Sequence, residues 1–167
     1  GLNYSNKKIT ISTSGIANKI SEAANEIGTY LALSLHAPND KLREKIMPIN
    51  RKFKIKDLIE QLKYYTSIVK EPIFLEYVML KNINDTEDCA KQLVKLMAKF
   101  PCKVNLIEFN SWPGVKFEPT ERKNIEKFSK FIQNKGYMSF IRRSRGDDVL
   151  AACGQLRTES KKNSKIN

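Results

Sequence analysis

One cysteine near the end of the sequence has the surroundings of a reactive thiol. Cys153 lies in the segment Arg145-Gly-Asp-Asp-Val-Leu-Ala-Ala-Cys-Gly-Gln-Leu156, where small neighbours on both sides leave room for another molecule to approach the sulfur. Nearby arginines lower the pKa of a thiol and raise the fraction of the nucleophilic thiolate. A buried cysteine that serves only as a small packing residue is the alternative. The residue types by themselves leave both interpretations open.

Arg142, Arg143 and Arg145 form a compact basic cluster directly before that segment. Guanidinium groups pair well with phosphate, so the cluster is a candidate for phosphate contact in a nucleic acid, with plain solvated charge as the alternative. The whole chain carries 30 Lys and Arg against 18 Asp and Glu, a formal net charge of +12. Such an excess indicates a polyanionic partner or a lysine-rich genomic background.

Polar side chains follow four predicted strands where each strand ends. They are Ser12 and Ser14, then Ser34 and His36, then Asn82 and Asn84, and finally Asn110. Ligands bind at the carboxyl ends of parallel strands, so these groups predict a rim for a neutral polar ligand, such as a nucleoside or an amino acid zwitterion. Structural alternatives remain: His36 can cap the next helix, residues 12–15 can form a simple turn, and Asn110 can belong to a plain loop.

The elements that must position these groups alternate between short apolar runs and amphipathic stretches. Strands are predicted at 8–13, 29–35, 73–80, 104–109 and 138–141. Helices are predicted at 16–27, at 41–46 after a cap at Asn39 or Asp40, at 55–69, after a cap at Asn84-Asp85, from Pro119 to Gly136, and from Val149. This alternation predicts an α/β fold with right-handed crossovers and a parallel sheet. About four such units make half a barrel, whose open edges another part of the protein must cover.

Composition excludes several classes of protein. No apolar run reaches the roughly 18 residues that a membrane span needs, and no signal peptide is recognisable. The three cysteines are widely spaced, so they predict neither a disulfide framework nor a metal site, and a cytoplasmic location is expected. Residues 1–157 are expected to form one unit, followed by a polar, disordered tail at 158–167.

Five ordered motifs resemble one known family. Ser12-Thr-Ser-Gly15, Ser34-Leu-His-Ala-Pro-Asn-Asp40, Met47-Pro-Ile-Asn50, Glu76-Tyr-Val-Met-Leu80 and the Cys153 segment have the order and spacing found in the RlmN family of radical S-adenosylmethionine methyltransferases. The resemblance covers about residues 8–157 and implies the later half of a partial (β/α)6 radical-SAM barrel, mostly parallel and flanked by helices. It implies methylation of C2 of adenine in 23S rRNA and tRNA. A sister family that methylates C8 of the same adenine is the alternative, although Ala37-Pro-Asn-Asp40 favours C2.

The resemblance also implies roles for single residues. Ser12, Ser34, Leu35, His36 and Asn110 match positions that hold S-adenosyl-L-methionine. Cys153 matches the cysteine that takes a methyl group from this cofactor and passes its carbon to the adenine. The hydrogen of that methyl group is removed by a radical made from a second cofactor molecule at a [4Fe–4S] cluster.

Parts of the family's machinery are missing from this sequence. The C-x-x-x-C-x-x-C loop that holds the cluster is absent, and Cys89, Cys102 and Cys153 are too far apart to replace it. The resemblance therefore implies that the cluster ligands belong to an N-terminal half of the same enzyme, with an electron donor such as flavodoxin and with rRNA and tRNA as substrates. The chain alone is expected to be inactive. A non-catalytic RNA-binding module and an ordinary α/β small-molecule domain are the competing interpretations.

Overall fold

A computed structural model describes residues 9–111 and 113–143 of the chain. Within these ranges, five strands alternate with helices along the sequence. The strands are β1 (Thr10–Thr13), β2 (Tyr30–Ser34), β3 (Ile73–Met79), β4 (Cys102–Glu108) and β5 (Ser139–Arg142). The helices are α1 (Ala17–Glu26), α2 (Asp40–Ile46), α3 (Ile55–Val69), α4 (Glu87–Met97) and α5 (Arg122–Asn134), with a short 3-10 helix at Pro48–Arg51.

The five strands form one sheet in the order β1-β2-β3-β4-β5, and every neighbouring pair is parallel. The order never reverses, so right-handed crossovers bring the helices over the same face of the sheet. Side chains of α1, α3, α4 and α5 accordingly share one apolar core with alternate residues of the strands, among them Leu33, Leu75 and Leu106. The prediction of an α/β fold with a parallel sheet and flanking helices is confirmed. We call the other side of the sheet the open face.

Helix α3 shows how the sequence specifies an element. Ile55, Leu58, Ile59, Leu62 and Tyr65 occupy positions i, i+3, i+4, i+7 and i+10, and all of them are buried. This spacing places them on one stripe of the helix, which packs beside α1 and against the sheet. The helix ends at Val69, before a proline that cannot continue it, and its predicted bounds of 55–69 are confirmed.

Two helix starts differ from the prediction. The N-cap of α4 is Thr86, whose hydroxyl accepts the Cys89 N–H at 3.2 Å, rather than Asn84-Asp85. Helix α5 begins at Arg122, because Pro119 instead pairs with Leu80 in an isolated β-bridge. At α4 the cap is thus another nearby residue, whereas at α5 a contact with a distant part of the chain takes up the proline that the sequence suggested as the helix start.

None of the helices in the described ranges combines the length and apolar character that a membrane crossing requires. The helix predicted from Val149, the Cys153 segment and the tail at 158–167 lie outside the described residues.

Candidate functional site

Two of the predicted cofactor residues lie on the open face. Ser34 of β2 is the register neighbour of Glu76 in β3, and Glu76 is the register neighbour of Asn105 in β4, so the three side chains project from one face. Ser12 is in register with Ala32, two residues before Ser34, and therefore shares that face one row lower. Ser12 is exposed and Ser34 is half-buried. The structure thus brings both hydroxyls to the same surface.

Glu76 is a member of this row that sequence reasoning did not single out. Asn105 Nδ2 donates to Glu76 Oε1 at 2.7 Å, and Arg142 NH1 lies 3.8 Å from the same oxygen. Burial raises the pKa of the Glu76 carboxyl, although the Asn105 hydrogen bond and the Arg142 charge oppose the shift. A charged residue inside the apolar run 73–80 was the signal that could have identified it. Arg142 therefore pairs with a group on the open face, while Arg143 is exposed beyond the end of β5.

His36 follows β2 in a left-handed backbone conformation, with φ at 56°, which is uncommon for a residue other than glycine. Its Nδ1 accepts the Val78 N–H at 3.1 Å, so the neutral ring carries its proton on Nε2. In the described part of the chain, Nε2 is the one buried side-chain nitrogen or oxygen without a hydrogen-bond partner. An unpaired buried donor costs about 1–3 kcal/mol, which a ligand acceptor would recover.

The capping alternative for His36 is wrong. Asn39 caps α2, because its side-chain oxygen accepts the Leu42 N–H at 2.9 Å. The imidazole instead joins the end of β2 to the backbone of β3. The backbone carbonyl of His36 accepts a hydrogen bond from Asn84 Nδ2 at 2.8 Å.

The burial of His36 predicts a dependence of stability on pH. Burial, together with the Arg43 charge, lowers the pKa of His36 to about 3, whereas an unfolded histidine titrates near its usual 6.5. Between these values the unfolded chain binds a proton that the folded chain excludes, so stability is lost as the pH falls from 6.5 toward 3. We expect His36 to contribute a slope of up to about 1.4 kcal/mol per pH unit. Denaturant unfolding of the full-length protein and its His36→Asn variant at pH 7, 6, 5 and 4 measures this slope. Parallel curves for the two proteins would contradict it.

Arg43, which sequence reasoning did not single out, links the ends of β1 and β2. The side chain is fully buried, and its guanidinium donates to three backbone carbonyls: Ser14 O at 2.8 Å, Ser34 O at 3.0 Å and Leu35 O at 3.1 Å. One side chain thus ties the end of β2 to the turn after β1. Burial lowers the pKa of Arg43 to about 10, so it remains charged at neutral pH.

The neighbours of Arg43 supply a hydrogen-bond acceptor and leave space for its guanidinium group. NH1 donates to Asn50 Oδ1 at 3.0 Å, and Asn50 Nδ2 donates in turn to Asp40 Oδ1 at 2.9 Å. A Cβ atom on Gly15 would lie 2.9 Å from Arg43 NH2, and φ at this glycine is 99°. The turn after β1 therefore needs glycine both for its backbone conformation and for the close approach of the guanidinium.

The remaining predicted residues lie in different environments. The side chain of Leu35 belongs to the apolar core on the helical side, its N–H donates to Glu76 O at 3.0 Å, and its carbonyl accepts from Arg43. Leu35 therefore holds the end of β2 in place. Asn110 is exposed just after β4, at the same edge of the sheet as His36. Asn84, expected at the rim, is buried and uses its amide to bind Val78 O and the Leu80 N–H.

The two cysteines of the described residues pack in or against the core on the helical side. Cys89 is buried in α4, and Cys102, at the start of β4, is half-buried. Burial raises the pKa of Cys102 to about 12, so its thiol stays protonated at neutral pH. Within residues 9–111 and 113–143, no group of three His, Cys, Asp or Glu side chains is arranged to hold a metal ion. Cys153 and Arg145 lie outside the described residues.

Three known proteins that are similar to this chain are named as methyltransferases. No protein-family profile matches the chain. A protein of Sinorhizobium fredii named dual-specificity RNA methyltransferase RlmN is 48% identical over 168 positions, which cover 100% of this chain and 41% of the relative. A protein of the same name from Mesorhizobium japonicum is 47% identical with the same coverage. The crystal structure of a radical SAM methyltransferase from Sphaerobacter thermophilus superposes with a TM-score of 0.85 at 38% identity, over 95% of this chain and 47% of that one. The chain thus spans less than half the length of these relatives.

Proposed function

Because this chain belongs to the RlmN family and matches the C-terminal part of its members, we propose that it forms the cofactor- and substrate-facing part of a radical S-adenosylmethionine RNA methyltransferase. The observation that carries the proposal is the rim at the ends of β1 and β2. There, Arg43 joins the end of β2 to the turn after β1, and the buried His36 Nε2 lacks a hydrogen-bond partner.

S-adenosyl-L-methionine fits the chemistry of this rim. The Ser12 and Ser34 hydroxyls on the open face can each donate and accept, and the exposed Asn110 amide lies at the same edge of the sheet. The His36 Nε2 proton offers one more donor, which would satisfy an acceptor of a polar ligand. When bound, the cofactor supplies a methyl group and the source of a hydrogen-abstracting radical. The residues of this chain bind and orient it.

The [4Fe–4S] cluster does not fit the residues of this chain. Cys89 and Cys102 lie in the core on the helical side of the sheet, away from Ser12 and Ser34. The cluster ligands therefore belong, in this proposal, to the part of the relatives that the chain does not cover. The same part and an electron donor such as flavodoxin are the protein partners that the proposal requires.

Cys153 is the proposed acceptor of the methyl group. Its thiolate would take the methyl group from S-adenosyl-L-methionine, which would be released as the neutral thioether, and the cysteine sulfur would hold that carbon until its transfer to the nucleobase. The proposed substrates are rRNA and tRNA, with C2 of adenine as the target atom. Arg143 and Arg145, which precede this cysteine by ten and eight residues in the sequence, are the proposed phosphate contacts, whereas Arg142 is shared in this proposal between RNA and Glu76.

Methylation of RNA by the full-length protein tests the proposal. The chain, joined to the part that its relatives carry outside the match, is reconstituted with iron, sulfide, S-adenosyl-L-methionine and a reducing system, and it is then incubated with tRNA. Mass spectrometry of the digested nucleosides is expected to detect 2-methyladenosine. Detection of 8-methyladenosine would instead assign the chain to the sister activity. The absence of any methylated adenosine in a cluster-loaded preparation would overturn the enzyme assignment.

A non-catalytic RNA-binding module is the second candidate, favoured by the net charge of +12. It predicts salt-dependent RNA binding without methylation, even when the cluster is loaded. An ordinary small-molecule domain predicts neither result.

A further inference from the structure

Residues 41–56, which we call the rim segment, lie across the carboxyl edge of the sheet. Arg43 in this segment binds the carbonyls that end β2 and follow β1. Ile46 and Met47 pack with Val78 and Phe109, at the ends of β3 and β4. The rim segment is therefore fixed beside the candidate cofactor site by buried contacts at both of its sides.

The outer surface of the rim segment is strongly cationic. Its exposed basic side chains are Lys41, Lys45, Arg51, Lys52 and Lys56. Glu44 is the one acidic residue in the segment, and it is already paired with Arg51 at 3.3 Å and Lys54 at 3.2 Å. The preceding carboxylate, Asp40, accepts from Asn50 Nδ2 and from the Ile55 N–H, both at 2.9 Å. Glu44 therefore neutralises Arg51 and Lys54, and Asp40 stabilises the fold, so neither carboxylate pairs with the other lysines of the segment.

Three lysines of the rim segment have no carboxylate partner in the described part of the chain, and one of them, Lys52, has its Nζ 5.4 Å from the centroid of the Phe53 ring. The ion pairs found in the described residues do not include Lys41, Lys45 or Lys52. Exposed ammonium groups on flexible stems neutralise phosphates without reading the bases. Lys41 and Lys45 are four residues apart in α2 and so lie on the same side of that helix, and Lys52 follows the 3-10 helix of the same segment. If the proposed function holds, these charges lie at the edge of the sheet where the target base would enter.

The opposite edge of the sheet provides a control set of three exposed lysines. Lys70, Lys99 and Lys135 are exposed just after α3, α4 and α5, which run antiparallel to the strands and therefore end at the amino edge. The two sets have the same number of charges and similar exposure. They differ in their distance from the candidate site.

We propose that the rim segment binds the sugar–phosphate backbone of the RNA that flanks the target base, through Lys41, Lys45 and Lys52. This inference rests on the proposed function, because the RNA that the rim segment binds is the substrate proposed for the neighbouring site. The lysines position the RNA, and the choice of base is left to the site itself.

Two triple variants of the full-length protein test this assignment. One carries Lys41→Gln, Lys45→Gln and Lys52→Gln, and the other carries Lys70→Gln, Lys99→Gln and Lys135→Gln. The dissociation constant for an RNA hairpin with an unpaired loop adenine is measured between about 50 and 200 mM salt, where phosphate contacts dominate the salt dependence. Loss of three contacts should weaken binding by tenfold or more at the low-salt end and reduce the slope of log K against log salt by about 2. The amino-edge triple should change the dissociation constant by less than about twofold, since counterion release is lost only where phosphates bind.

The outcomes separate the surface from the function. Equal weakening by both triples would mean that only total charge matters, and it would overturn the rim assignment. Unchanged RNA affinity in the rim triple would overturn it as well. Weaker S-adenosyl-L-methionine binding or a lower unfolding temperature in the rim triple, with an unchanged salt slope, would show a purely structural role. If the unmodified protein bound RNA with no dependence on salt, the proposed function itself would fail.

Discussion

Replacement of Arg43 by alanine is expected to destabilise the protein by about 4 kcal/mol, because it leaves several buried acceptors without a donor, each costing about 1–3 kcal/mol before relaxation. The acceptors are the carbonyls of Ser14, Ser34 and Leu35 and the Asn50 side chain. The loss also frees the end of β2 from the turn after β1, so the affinity for S-adenosyl-L-methionine should fall together with the stability. Denaturant unfolding and calorimetric titration with the cofactor measure the two effects.

Two further variants make the Arg43 result interpretable. Arg51→Ala removes an exposed arginine of the same segment, with one ion pair to Glu44, and should change stability by no more than about 0.5 kcal/mol. Arg43→Lys keeps the charge but cannot reach all four acceptors with a single ammonium group, so it should recover only part of the loss. If Arg43→Ala and Arg51→Ala unfolded at the same denaturant concentration, Arg43 would not be the link between β1 and β2.

Replacement of Cys153 by alanine is expected to reduce the formation of methylated RNA by at least about 10³-fold, since a covalent step that depends on a thiolate has no substitute group at this position. Binding of the cluster and cleavage of S-adenosyl-L-methionine should persist, because the proposed role of Cys153 begins after the cofactor is bound. Nucleoside mass spectrometry measures the RNA product. Iron content and the release of 5′-deoxyadenosine measure the other two properties.

The other two cysteines are the matched controls for this thiol. Cys89→Ala removes a buried thiol and Cys102→Ala a half-buried one, and Cys102, with a pKa raised to about 12, has almost no thiolate at neutral pH. Both variants should retain methylation once any loss of stability is taken into account. Loss of the cluster in Cys153→Ala, or full activity of that variant, would contradict the proposed role. Mass spectrometry of peptides from the digested protein without substitutions should also detect an added CH₂ on the peptide that contains Cys153.

The elements of this protein follow largely from local patterns. The spacing of Ile55, Leu58 and Leu62 specified α3 to the residue. The apolar runs located all four strands β2–β5 within two residues, since side-chain periodicity and breakers such as Pro72 act within a few residues of the chain. The ordered motifs placed the chain in its family, and the relatives confirm this assignment. The roles of Cys153 and Arg145 stay predictions.

The internal arrangement of the site could not be predicted in this way. No individual role was predicted from the sequence for Arg43 or Glu76, and Asn84 was predicted as a helix cap and a rim residue. The fold buries the first and third and half-buries Glu76 on the open face. Each gains its role from partners far along the chain: Arg43 from Ser14, Glu76 from Asn105 and Asn84 from His36. Within the described residues, the sequence by itself determined the strands, the helices apart from the starts of α4 and α5, and the family, because these depend on short-range periodicity and on motif order. Only the tertiary structure decided which polar groups are buried and paired, because a buried donor or acceptor must be satisfied by whatever the fold brings near it.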